Sequence, residues 1–187
     1  MRTKDFDKQQ RIKRAMVRLI LEEGISGASI SKIAREADVS SATIYVYYNS
    51  KEEMLAEVFR ECSHDTYLFL KRRLSESMSA AELIEAIVRG YYDYSVENEE
   101  IFSFVEQCSR CPTLSGNVCE EECYCGIFDL LHAFQSRGEI RNYSDVNLNA
   151  LLFAPVRFLS MQQRIPEDSR KEHLSELVDI LQTLLIC

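Results

Sequence analysis

Residues 43–54 read TIYVYYNSKEEM: three tyrosines within four positions, then a polar and basic run into a helix start. Upstream, Ser40 is placed to cap a short helix, SATIYVYY. The preceding DVS breaks a second short helix, ISKIAREA, which Ser29 caps and which turns Ile30, Ile33, Ala34 and Ala37 inward. Before that, Ile12, Met16, Leu19 and Ile20 mark one face of a first helix, and Gly24 is suited to close it. Ser50 and Glu53 have capping-box spacing for a fourth helix. There Met54, Leu55, Val58, Phe59, Cys62, Leu70 and Leu74 keep the helical period. Two short helices joined by a tight turn, the second with a face of small residues, are the elements of a helix-turn-helix. Ala34 is small where the helices cross, and Val39 is placed to plug the turn. Ser41, Ala42, Thr43 and Val46 present a face narrow enough for a major groove.

Charge agrees with that placement. The 187 residues carry a net charge of −8. Residues 1–51 hold ten Lys/Arg against six Asp/Glu, or +4; residues 52–187 hold twelve against twenty-four, or −12. A basic head on an acidic body directs only the head toward a polyanion. No apolar run reaches the ~18 residues of a membrane span, and MRTKDFDKQQRIKR lacks the apolar core of a secretion signal. A cytoplasmic protein without a membrane partner is expected, its seven cysteines reduced.

Residues 10–58, and ASISKIAREADVSSATIYVYYNSKEEML within them, resemble the TetR family of bacterial transcriptional repressors. The resemblance implies an all-α fold: an N-terminal three-helix helix-turn-helix domain, and a larger helical C-terminal domain for ligand binding and dimerisation, about nine helices in all. It places the DNA-binding domain at 1–50, a linking fourth helix at 51–74, and an effector-binding and dimerisation domain at 75–187. The polar joint SESMSA, 75–80, lies at that boundary. Thr43, Tyr47 and Lys51 match positions that hold DNA phosphates in the family, while Tyr45 and Tyr48 match inward-packing positions. Ser41, Ala42 and Val46 are the candidates for base readout, with Lys32 and Arg35 near the backbone. Asp38 departs from the family pattern, which has Gly in the turn; Asp tolerates the left-handed backbone expected there. The partners implied are a palindromic duplex operator, a second copy of the chain as homodimer, and an unidentified small-molecule effector.

Beyond residue 80, helices are expected near 81–97, 99–109, 115–137, 145–163 and 167–186, with Pro155 kinking or splitting the fourth of these. Leu148, Leu151, Leu152, Leu159, Leu177, Leu181, Leu184 and Leu185 are the expected dimer residues. Tyr91, Tyr94, Phe102 and Phe104 are the candidates to line an effector pocket. Five cysteines fall within CSRCPTLSGNVCEEECYC, 108–125. Cys108, Cys111, Cys119 and Cys123 have the number and softness for a tetrahedral thiolate metal site; inert thiols and a redox or electrophile sensor are the alternatives. Arg110 is expected to lower the thiol pKa of Cys108 and Cys111. His64, His132 and His173 form no recognisable signature with a cysteine, so a regulator rather than an enzyme is expected, with no cofactor. A thiol or metal protein that binds no DNA is the alternative reading.

Overall fold

The computed structural model describes residues 2–109, 111, 114, 120–162 and 164–187, and their side chains except in 2–5 and 120–125. The described elements are helices: α1 (Arg2–Gly27), α2 (Ile30–Glu36), α3 (Ser41–Tyr47), α4 (Lys51–Lys71), α5 (Ala80–Glu97), α6 (Glu99–Ser109), α7 (Glu120–Ser136), α8 (Asp145–Leu152), α9 (Ala154–Ser160) and α10 (Glu167–Leu185). An isolated antiparallel bridge joins Ile140 and Ile186. Among the described residues no helix is long and apolar enough to cross a membrane.

Two compact units emerge. The first comprises Met1–Ser63 and Glu99–Glu120, the second His64–Asn98 and Glu121–Cys187. This division falls within α4. The polar stretch that begins at Ser75 forms a turn ending in Ser79. Its hydroxyl accepts from the Glu82 N–H at 3.2 Å while the Glu82 carboxylate accepts from the Ser79 N–H at 2.8 Å, so a capping box starts α5.

In the first unit α1 buries Ile12, Met16, Leu19 and Ile20 and packs against α2 and α6. At Gly24 the backbone leaves the helix at φ 77°, ψ 169°, a region open essentially to glycine, and the chain turns toward α2. The Ser29 hydroxyl accepts from the Lys32 N–H at 3.4 Å to start α2. Ile33, Ala34 and Ala37 are buried beneath it, as the period requires. Between α2 and α3, Asp38 adopts φ 52°. The Asp38 N–H then reaches the Arg35 carbonyl at 3.2 Å and the Val39 N–H reaches the Ala34 carbonyl at 2.9 Å. Asp is thus doing here what glycine does in the family pattern. The Glu53 N–H donates to the Ser50 hydroxyl at 3.0 Å, but the Glu53 carboxylate accepts from Asn49 at 2.9 Å, one residue earlier than a strict capping box.

In the second unit α5 is the buried strut. Leu83, Ile84, Ile87, Val88, Tyr91 and Tyr94 are all in its core face, and α8, α9 and α10 pack on it. The Gln182 amide reaches the Ala81 carbonyl at 2.9 Å and ties α10 to the start of α5. Pro155 splits the expected helix: α8 ends at Leu152 and Pro155 enters the first turn of α9, where its missing N–H costs nothing.

Candidate nucleic-acid interface

The short α3 is anchored at one end by the Ser40 hydroxyl, which accepts from the Thr43 N–H at 3.1 Å and lies 2.8 Å from Thr43 Oγ1. Its core anchor is Ile44, wholly buried. At 100° per residue the two following side chains rotate off that face. Val46 is 77% exposed and Ala42 is exposed beside it, with Ser41 and Thr43 half-buried. Tyr45 is 56% exposed, which corrects the expectation that it packs inward. The reason is geometric: Ile44 occupies the inward direction, and Tyr48, four residues on, occupies it again. Tyr48 leaves the helix in an extended conformation (φ −136°) and is buried to 6% exposure, its ring centroid 6.4 Å from that of half-buried Tyr47. Burial, with smaller effects of Glu57 and Glu61, pushes the Tyr48 hydroxyl pKa up to about 12.

The basic candidates serve the frame as well as the surface. Lys51 Nζ donates to the Ile25 carbonyl at 2.6 Å, binding the start of α4 to the exit of α1. An ammonium has three donors, so two remain to face an anion. Lys32 Nζ donates to the Gly27 carbonyl at 3.0 Å and pairs with the Glu23 carboxylate, which makes it chiefly a brace of the α1–α2 turn. Arg35 stands exposed on the outer side of α2. Arg11 holds the α2–α3 turn through the Asp38 carbonyl (3.4 Å) and carboxylate (3.7 Å), a role its place on α1 does not announce.

The four aromatic effector candidates are all buried. Tyr91 stacks edge-on with Phe153 at 5.0 Å and Tyr94 with Phe69 at 5.1 Å, both within the second unit. Phe102 and Phe104 belong to the first.

Of the cysteine candidates, Cys119 lies outside the described residues, and Cys123 lies in α7 with its side chain outside them. Cys108 is wholly buried at the end of α6 and Cys111 is half-buried, both in the first unit. Among the described residues no three His, Cys, Asp or Glu side chains gather to hold a metal ion. The Cys108 thiol goes opposite to expectation. Burial pushes it up to about 12, with further upward effects from Cys111 and Cys62, while Arg110 lies outside the described residues. Cys62 on α4 is therefore a neighbour that the sequence hid, because it falls in the apolar period of its helix.

This geometry has known counterparts. The family pattern described as "Bacterial regulatory proteins, tetR family" matches residues 12–58, which run from the core face of α1 into α4. Over 180 residues, 96% of each chain, the protein is 25% identical to an uncharacterized HTH-type transcriptional regulator of Haemophilus influenzae. Over 78 residues, 42% of this chain and 40% of the other, it is 30% identical to the fatty acid metabolism regulator protein of Bacillus subtilis. A crystal structure of a TetR family transcription regulator from Marinobacter aquaeolei superposes with a TM-score of 0.86 at 22% identity, covering 100% of this chain and 99% of that one. With the matched segment coinciding with the helix-turn-helix, residues 12–58 carry the DNA-binding pattern of the tetR family of bacterial regulatory proteins, and the chain is a DNA-binding transcriptional regulator.

Proposed function

We propose that the protein is a cytoplasmic, homodimeric repressor that binds a palindromic operator through α3 and releases it when a small effector binds residues beyond α4. The observation that carries this reading is the division of α3. Ile44 and then Tyr48 lock it to the core, while Ala42, Tyr45 and Val46 stand in solvent. Ser41, Ala42 and Val46 then read bases, Val46 by apolar contact with a thymine methyl. Thr43, Tyr47 and Lys51, joined by the exposed Tyr45, hold phosphates, with Lys32 and Arg35 adding positive potential. A dimer supplies two such helices to half-sites one DNA turn apart.

The dimer surface proposed here differs from the leucine set read from the sequence. Leu148, Leu152, Leu159, Leu181 and Leu185 are buried within their own chain, and Leu151 and Leu177 are half-buried. The large apolar side chains left in solvent between residues 146 and 184 are Val146, Phe158, Met161, Ile180 and Leu184. Ile180 and Leu184, one turn apart on α10, line a shallow groove of about 450 Å³ with Asp179 and Thr183. Exposed apolar residues at such spacing mark a surface that a partner covers. Effector binding is assigned to Tyr91 and Tyr94, with Phe102 and Phe104 as further candidates.

Selection from random duplexes tests the reading. Wild-type protein is expected to enrich a palindrome, and Val46→Arg to enrich a different one. A pool that emerges unenriched contradicts operator recognition.

A further inference from the structure

Cys108 stands near the end of α6, and the Cys111 N–H donates to its carbonyl at 2.9 Å. A turn closed in this way keeps its outer Cα atoms within about 7 Å. A disulfide spans Cα separations of about 4.4–6.8 Å, so the backbone already brings these two thiols within bridging range. Both lie in the unit that contains the helix-turn-helix. Cys111 is half-buried and reachable by a small oxidant, whereas Cys108 is wholly buried. They also sit where α6 meets α1. Gln107, next to Cys108, donates its amide to the Ile20 carbonyl at 3.1 Å, on the helix whose buried face supports α2.

We propose that Cys111 and Cys108 form a hydroperoxide-sensitive dithiol whose closure to a disulfide weakens DNA binding. The effect on DNA rests on the operator-binding reading above; the dithiol itself does not. In the first step the Cys111 thiolate attacks the peroxide and the O–O bond breaks. The leaving oxygen takes up the proton lost from Cys111, giving a sulfenic acid and an alcohol, or water from hydrogen peroxide. In the second step the Cys108 sulfur attacks the Cys111 sulfur. The S–S bond forms, the S–O bond breaks, and hydroxide leaves with the Cys108 proton as water. Two thiols and one hydroperoxide thus become one disulfide, one alcohol and one water. The order follows from access: Cys108 has no solvent exposure, and burial leaves it little thiolate. Drawing the sulfurs to about 2.05 Å pulls Cys108 from its buried seat and strains the adjoining Gln107–Ile20 bond.

The experiment uses full-length Cys187→Ser protein, which lacks the exposed thiol at residue 187. It is treated with hydrogen peroxide, alkylated, and cut with trypsin after Arg110, which lies between the two cysteines. The expected product is the peptide containing Cys108 linked by a disulfide to the peptide that begins at Cys111. The link is expected to be absent when Cys111→Ser or Cys111→Ala is added. Duplex affinity of the oxidised protein is expected to fall roughly 5- to 150-fold, the usual range of coupling between two sites, and to recover with dithiothreitol. No link to the Cys108 peptide, a link that persists in both Cys111 variants, or a link that leaves DNA affinity unchanged overturns the proposal. If the reduced protein binds no duplex at any salt, the operator-binding reading fails and with it the effect on DNA, while peptide mapping still decides the dithiol.

Discussion

At Ile44 the third helix commits one direction to the core, and the tyrosines around it sort by angle rather than by chemistry. Tyr45 and Tyr48 read alike in sequence, as aromatic residues in an apolar context, yet one is exposed and the other buried. Helical phase separates them only once the end of α3 is known, because Tyr48 reaches the core from an extended residue beyond the helix. Truncating the two therefore has opposite consequences. Tyr48→Ala is expected to cost about 3–5 kcal/mol, as for other buried aromatics, and Tyr45→Ala within about 0.5 kcal/mol. Urea unfolding measures both, and Tyr45→Ala is further expected to weaken duplex binding at unchanged stability. The raised pKa of Tyr48 also sets a pH window. The folded state keeps the proton that the unfolded chain loses above pH 10, so this stabilisation is complete below pH 10 and is lost as pH rises toward 12. Cys108 acts in the same direction from pH 9 upward. The urea midpoint is expected to fall over this range and to fall less steeply in Tyr48→Phe; equal slopes in the two proteins contradict the assignment.

At the scale of elements, capping and period made most of the fold legible. Ser29, Ser40, Ser50 and Pro155 each end or begin a helix where their chemistry requires. What stayed hidden depended on contacts distant in sequence. Arg11 reaches 27 residues to Asp38, Lys51 reaches 26 back to Ile25, and no local pattern encodes either. The turn between α2 and α3 can be tested directly. Asp38 sits at φ 52°, so Asp38→Val is expected to destabilise by about 1–2 kcal/mol, while Asp38→Gly stays near wild type because relief of backbone strain offsets the lost Arg11 contact. Similar losses in both variants would show that the Arg11 contact, not the backbone, governs the turn. Within α7, Gly126 has a second kind of constraint. A Cβ there lies 2.4 Å from Tyr67 Oη, so Gly126→Ala is expected to cost about 1–3 kcal/mol and to recover partly in the double variant with Tyr67→Phe.

For the molecule as a whole, sequence period could not say which leucines meet a partner. A leucine stripe looks the same whether it faces its own core or another chain; only packing in three dimensions separates Leu181 from Ile180. Leu181→Glu accordingly tests folding, since it places a charge in a filled core. Ile180→Glu with Leu184→Glu tests assembly, and sedimentation at low micromolar concentration is expected to show a folded monomer. A folded dimer in that double variant would move the interface off this face of α10. The contrast of charge between residues 1–51 and 52–187 belongs to this scale too, because it limits how duplex DNA can approach. The central claim, that residues 1–51 grip DNA phosphates through α3 and the start of α4, meets its most direct test in the salt dependence of duplex binding. Titration of wild type and Lys51→Ala at several salt concentrations is expected to give linear plots of log K against log salt, the variant's slope shallower by about 1 per half-site. Affinity independent of salt in the wild-type protein, or an unchanged slope in the variant, would contradict the account.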